Sequence, residues 1–241
     1  MLTGIEFNGK HSLRDFGLTV SNRKIGYPSK IKRQERVPFS NTVYDFSNLY
    51  GGQEYEERSI TYTLNLINKP SSGYRENFQN NQLLETKVVN WLMGANQKAI
   101  LKDDTINGYY FMAELVDGPN SEFKFVGSEL TIEFIAYPFK ISELQEGHDI
   151  WDEFNFELDV AQITEFEVNG TKEITLYNVG AETLAPTIVA SSEFTIEKGA
   201  MSVTVPSGTS KSYLISLNVG ENKLKLIGNG TIEFKFHKEL I

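Results

Sequence analysis

Cysteine is absent from this 241-residue chain, so it can build no disulfide framework, no thiolate metal site and no thiol nucleophile. Histidine is scarce: His11, His148 and His237 are too scattered to form a local metal-binding or proton-relay motif. Long apolar runs are missing as well. No stretch approaches the roughly 18 residues of a membrane span, and no basic-then-apolar start precedes a small-residue cleavage site. The sequence therefore predicts a soluble chain made in the cytoplasm, with no membrane partner. G-x-S-x-G, Walker-type, G-x-G-x-x-G, H-E-x-x-H and calcium-loop motifs do not occur. The expectation is a protein that is not an enzyme, with no catalytic residue, no cofactor and no metal ligand.

Positive charge is the minority, with 23 Lys and Arg against 32 Asp and Glu, a net charge of −9 and an isoelectric point near 5.0. That balance argues against a general nucleic-acid binder, whose domain is usually basic. The imbalance is unevenly placed. Residues 1–137 hold 15 bases and 16 acids, whereas residues 138–241 hold 8 and 16. What the chain does have is apolar and aromatic content, 40% and 12%, which excludes general disorder.

The residues around that charge shift predict a domain junction. Leu130, Ile132, Phe134 and Ala136 alternate with Thr131 and Glu133, the period-2 pattern of a strand with one buried face. Pro138 lacks the N–H that a ladder needs, so the strand is expected to stop there. We therefore expect a mainly β protein in two domains, residues 1–137 and 138–241. In the first, Ile60, Tyr62, Leu64 and Leu66 mark the central strand, and Leu84, Val88, Trp91 and Leu92 form one stripe of a helix near residues 79–95. That stripe makes Trp91 a core residue, and the first domain an α+β arrangement of one helix on a sheet. In the second, seven or eight short strands at about ten-residue spacing predict a β-sandwich. Asn169-Gly170 and Gly228-Asn229-Gly230 are read as turns between those strands.

Two stretches stand out chemically. Residues 23–36 carry six bases, Arg23, Lys24, Lys30, Lys32, Arg33 and Arg36, and one acid, Glu35. They are a candidate surface for an acidic neighbour or for nucleic acid passing close by; a solvated strand with protective lysines is the plainer alternative. Residues 143–173 carry ten acids and one base, Lys172. No pair of these carboxylates is marked out by spacing for glycoside hydrolysis. Trp151, among Asp149, Asp152 and Glu153, is the candidate sugar-stacking platform, with a packed strand residue as its alternative reading.

The blocks GIEFNGKHSLRDFGLTV (residues 4–20), YDFSNLYGGQEYEERSITYTLNLI (44–67), LTIEFIAYPFKI (130–141) and VGENKLKLIGNGTIEFKF (219–236) carry a resemblance in order and spacing. Together they resemble the distal tail protein family of long-tailed, non-contractile bacteriophages and prophages. The resemblance implies a virion structural protein at the tail tip: a β-rich domain with a helix that assembles as a hexameric ring, followed by a galectin-like β-sandwich. It implies partners in the tail-tube protein and the tail-tip or baseplate proteins, and DNA passing transiently through the ring. Under the alternative, the second domain is a carbohydrate-binding module for host cell-wall glycans, with Trp151 as its platform.

Overall fold

A computed structural model describes residues 2–47, 49, 52–66, 74–123, 128–150 and 154–241. The protein is mainly β, and its chain divides into two compact units, Met1–Lys140 and Ile141–Leu240. The first unit holds β1 (Ile5–Phe7), β2 (Lys10–His11), α1 (Ser12–Phe16), β3 (Leu18–Ile25), β4 (Gln34–Arg36), β5 (Val43–Asp45), β6 (Arg58–Leu66), α2 (Tyr74–Met93), β7 (Ala99–Asp103), β8 (Tyr109–Leu115), β9 (Asn120–Phe123) and β10 (Ser128–Ala136). At the division lies β11 (Lys140–Ser142). The second unit continues with β12 (Glu165–Asn178), β13 (Thr187–Ala190), β14 (Phe194–Lys198), β15 (Met201–Val205), β16 (Gly208–Lys211), β17 (Gly220–Lys235) and β18 (Glu239–Leu240).

The main sheet of the first unit is antiparallel, in the order β2-β1-β7-β8-β10-β6-β3, with β9 beside β10. Its centre is the pairing of β6 with β10, in register from Ser128 opposite Leu66 to Ala136 opposite Arg58. Ile60, Tyr62 and Leu64 on one strand and Leu130, Ile132, Phe134 and Ala136 on the other are all buried. This is the face the alternation marks in the sequence. α2 covers it with Val88, Trp91 and Leu92, and Leu84 packs at the margin. The Trp91 indole N–H donates to the Phe7 carbonyl at 2.8 Å, and its ring stacks on Phe16 at 4.8 Å. The helix stops before Gly94, where a Cβ would lie 2.8 Å from the Asn90 carbonyl.

A second, five-residue helix, α1, is not visible in the sequence. It is too short to show a period, and its cap is a histidine: the His11 Nδ1 accepts from the N–H groups of Leu13 and Arg14 at 3.1 and 3.2 Å. The chain also stays with the first unit beyond Pro138. The Tyr137 N–H donates to the Met112 carbonyl at 2.8 Å, and Phe139 is buried against the rings of Tyr55 and Tyr137.

The second unit differs from a series of short hairpins. Its six-stranded sheet is four chain passes: β12, β17, the pair β13–β14, and the pair β15–β16. β12 and β17 run in register for fourteen pairs, Glu165 opposite Glu233 to Asn178 opposite Gly220. Asn169-Gly170 and Gly228-Asn229-Gly230 therefore lie inside long strands, not between short ones. They mark a bend: Gly170 stands opposite Gly228, with φ of 83° and 157°, and Gly230 has φ of 129°. The neighbouring passes are interrupted at the same level, β13 giving way to β14 at residues 191–193 and β15 to β16 at 206–207. A Cβ on Gly228 would lie 2.5 Å from the Phe194 ring, so only glycine lets that ring cross the bend. Both halves share one core, with Ile174, Leu176, Ile196, Leu224 and Leu226 on one side and Val168, Ile188, Ile232 and Phe234 on the other.

The side of β12 away from β17 is partly closed by a side chain. Gln162 donates from Nε2 to the Tyr177 carbonyl at 2.8 Å and accepts the Tyr177 N–H at Oε1 at 2.9 Å. It thus makes both bonds a neighbouring strand would make there.

Candidate assembly surface

β3 leaves the main sheet at Ile25, opposite Ile60, and the chain returns to it at Arg58. Between these points it forms an arm. Glu56 N–H donates to the Ser29 carbonyl at 2.8 Å, Ile31 N–H to Glu54 at 2.9 Å, and Phe46 N–H to Arg33 at 2.8 Å; β4 then pairs with β5, Gln34 opposite Asp45 to Arg36 opposite Val43. A tight turn closes the tip, with Val37 N–H on the Thr42 carbonyl at 3.1 Å.

Polar groups hold this arm together. The Asp45 carboxylate accepts the Ser47 N–H at 2.9 Å, Lys32 Nζ at 3.1 Å and Gln34 Nε2 at 3.2 Å. Ser47 first, then Gln34 and Lys32, hold its carboxyl well below the usual range. Arg33 joins the two passes twice, through its N–H to Ser47 Oγ at 2.9 Å and its guanidinium to Glu54 at 2.5 Å. Apolar groups point outward. Every residue of β4 and β5 is exposed, and so are Tyr27, Phe39, Phe46 and Leu49. Phe39 at the tip is fully exposed and has φ of 59°, a left-handed conformation that costs a residue with a Cβ about 1 kcal/mol. Large apolar side chains gathered on one exposed ribbon mark a contact surface, whereas single ones would not.

The six bases fall into three groups. Arg23, on β3, is half-buried and tied to the sheet: its Nε reaches both oxygens of Asp103 at 3.1 and 2.9 Å and its Nη2 reaches Thr3 at 2.5 Å, with the Asp103 side chain wholly buried. Lys32 and Arg33 are tied to Asp45 and Glu54 on the arm, and Lys24, Lys30 and Arg36 are exposed. Trp151, Asp152 and Glu153 lie outside the described residues. Near them, the His148 Nδ1 accepts the Ile150 N–H at 3.2 Å, and Phe154 packs edge-on to Phe156. Within the acidic stretch Asp159 pairs with Lys238, and Glu146 accepts from Gln162 at 3.0 Å. Among the described residues, no three His, Asp or Glu side chains converge as metal ligands.

The arm was only partly legible in the sequence. Tyr44 to Gly52 reads as an aromatic strand and turn, but nothing local tells that its partner is the basic stretch ten residues earlier. The Arg23–Asp103 pair joins residues eighty positions apart, beyond any local signal.

Fold and surface define a class: a mainly β protein in two units, the first a helix-covered antiparallel sheet with an exposed arm, the second a bent antiparallel sheet. No protein-family model matches the sequence, and no curated protein matches it. Among solved structures the chain is similar to the SPP1 Dit protein, described as a paradigm of the hub adsorption apparatus in phages infecting Gram-positive bacteria. The match has a TM-score of 0.67 at 12% identity and covers 100% of both chains. The chain has the Dit fold. Two structures of the phage p2 baseplate in its activated conformation also align. The one with Sr has 11% identity, a TM-score of 0.44 and coverage of 98% and 97%; the one with Ca has 11%, 0.42, and 100% and 99%.

Proposed function

We propose that this protein is a distal tail protein: a virion component that assembles as a hexameric ring at the tail tip and joins the tail tube to the host-adsorption apparatus. The observation that carries the reading is the arm, ordered by its own polar bonds and presenting its apolar side chains to solvent. Such a surface suits burial against a neighbouring copy. A contact between two different patches, arm and receiving surface, is heterologous, and heterologous contacts close into a ring when the rotation between copies closes. The Dit fold over the whole chain supports the same reading. Within it, residues 1–137 make the ring and residues 138–241 form a galectin-like sandwich. Lys24, Lys30 and Arg36 then serve the ring contact or the channel through which DNA passes. The role is structural, not enzymatic, and assembly takes place in the host cytoplasm. The glycan-binding alternative rests on Trp151, which lies outside the described residues.

Light scattering tests the proposal. The expected mass is six times the 27.3 kDa of one chain, with rings bearing a central hole in negative-stain images. A monomer at every concentration, with no ring on adding tail-tube protein, overturns it.

A further inference from the structure

Four asparagines in this chain stand directly before a glycine: Asn8, Asn107, Asn169 and Asn229. Such a pair is open to a reaction that needs no enzyme. The backbone nitrogen of the glycine attacks the asparagine Cγ, unhindered by a side chain of its own. A Cγ–N bond forms, the Cγ–Nδ2 bond breaks, and the proton of the attacking amide leaves with the side-chain nitrogen as ammonia. Water then opens the succinimide ring at one carbonyl or the other. The product is aspartate, or isoaspartate in which the main chain runs through the β carbon. The ring closes only when the side chain swings over its own backbone, so a carboxamide or N–H that the fold holds elsewhere is protected.

Three of the four pairs are held. Asn8-Gly9 is the turn between β1 and β2, closed by Phe7 opposite Lys10, with φ of 46° and 76° and the Asn8 N–H on the Ile100 carbonyl at 3.3 Å. At the bend of the second unit one hydrogen bond protects two sites. The Gly170 N–H, which would attack Asn169, donates to Asn229 Oδ1 at 2.9 Å and so fixes the carboxamide of Asn229 as well. Both pairs also lie inside the register of β12 and β17, and the Asn229 carbonyl accepts the Ser192 hydroxyl.

Asn107-Gly108 is not held. It lies between β7 and β8, in a connection whose anchors come before it: the Ile106 N–H donates to the Asp103 carbonyl at 2.9 Å, the Thr105 N–H to Asp103 Oδ1 at 2.9 Å, and Ile106 packs against the core. Beyond Ile106 these bonds end. Asn107 is exposed, and neither it nor Gly108 is hydrogen-bonded to another described residue. A loop tip of this kind rearranges locally at little cost in free energy.

We propose that Asn107 is a site of spontaneous deamidation in the folded protein, converting to aspartate and isoaspartate while Asn8, Asn169 and Asn229 persist. The product puts a new carboxylate into the connection that carries Asp104, and isoaspartate lengthens that connection by one backbone carbon. Asp104 accepts the Gly4 N–H at 2.7 Å and meets His11 Nε2 at 3.1 Å. The modification thus falls in the same short loop that fastens the start of β1.

The test incubates the full chain in mildly alkaline and in mildly acidic buffer, both folded and unfolded in guanidinium chloride. Peptide mapping by mass spectrometry follows each asparagine through the mass gained when an amide becomes an acid, and isoaspartyl methyltransferase labels the isoaspartate. In the folded protein Asn107 should convert at least about tenfold faster than any of the other three, and faster in alkali, where more of the attacking amide is deprotonated. In guanidinium the four should convert within about threefold of one another, because each then has only its glycine neighbour. Asn107→Gln, whose ring closure would need one more carbon, should remove the label from the folded protein. Persistence of Asn107 in the folded chain, or conversion of one of the other three at an equal rate, overturns the proposal. So does the same ranking in guanidinium, since the fold would then play no part, and so does labelling that survives Asn107→Gln.

Discussion

Two antiparallel ribbons in this molecule are built on opposite principles. The β12–β17 ribbon runs for fourteen pairs and turns one face into a core, with Ile174, Leu176, Leu224, Leu226, Ile232 and Phe234 buried along it. The β4–β5 ribbon has three pairs and buries none of its residues. A short two-stranded ribbon is marginal in water when it covers nothing. This one is instead held by Asp45, Ser47, Arg33 and Glu54, bonds that leave its aromatic rings free. The first ribbon makes stability from apolar burial inside the subunit. The second leaves its apolar surface exposed to solvent.

That contrast breaks most visibly in the cores. Phe234→Ala in β17 and Trp91→Ala beneath the main sheet should each cost about 3–5 kcal/mol in denaturant unfolding. A change below about 1 kcal/mol at Trp91 would mean that α2 does not seal the sheet with this residue. A smaller loss is expected at the bend. Gly228→Ala should cost about 1–3 kcal/mol, because the added methyl meets the buried Phe194 ring. The arm should behave in the opposite way. Tyr44→Ser and Phe39→Gly should leave subunit stability within about 0.5–1 kcal/mol of wild type while reducing self-association, and Phe39→Gly also relieves the left-handed backbone. If either variant unfolds the subunit, the ribbon is part of a core after all.

The smallest effect concerns pH. The Asp45 carboxyl is depressed by its bonds to Ser47, Gln34 and Lys32. Its contribution is therefore complete above the ordinary carboxylate value of about 4 and is lost as the pH falls below it. The amide resonance of Ser47 should hold steady from neutral pH to about 4 and move in stronger acid, with the rest of the subunit unaffected. Asp45→Asn should show the displaced resonance at every pH. A Ser47 signal that ignores both changes would remove the carboxylate from the account of how the arm is ordered.

What could be read from the chain was whatever depends on near neighbours. The alternation through Leu130, Ile132, Phe134 and Ala136 and the stripe of Val88, Trp91 and Leu92 both lie in the core of the first unit. Asn8-Gly9 makes the turn between β1 and β2, with φ of 46° and 76°. The same dipeptide signal misleads at Asn169-Gly170, where fourteen register pairs carry the strand through a bend that local preference alone would turn into a hairpin. Positive charge misleads at Arg23, because its partner Asp103 is brought to it only by the sheet. Arg58 gives no signal in sequence at all: that it is buried, with no hydrogen-bond partner for Nε or Nη2 among the described residues, is visible only in three dimensions.

Gln162 sets a limit on where this molecule can grow. A strand approaching β12 at Tyr177 would first have to break two good bonds to regain two of the same kind, so hydrogen bonding gives no net gain there. One amide side chain thereby makes that stretch of β-edge unprofitable to a partner, while the arm stays free to engage one. In an assembly of the kind proposed, such asymmetry matters, since valence left open at every edge gives a precipitate, and valence confined to chosen faces gives a particle of fixed size.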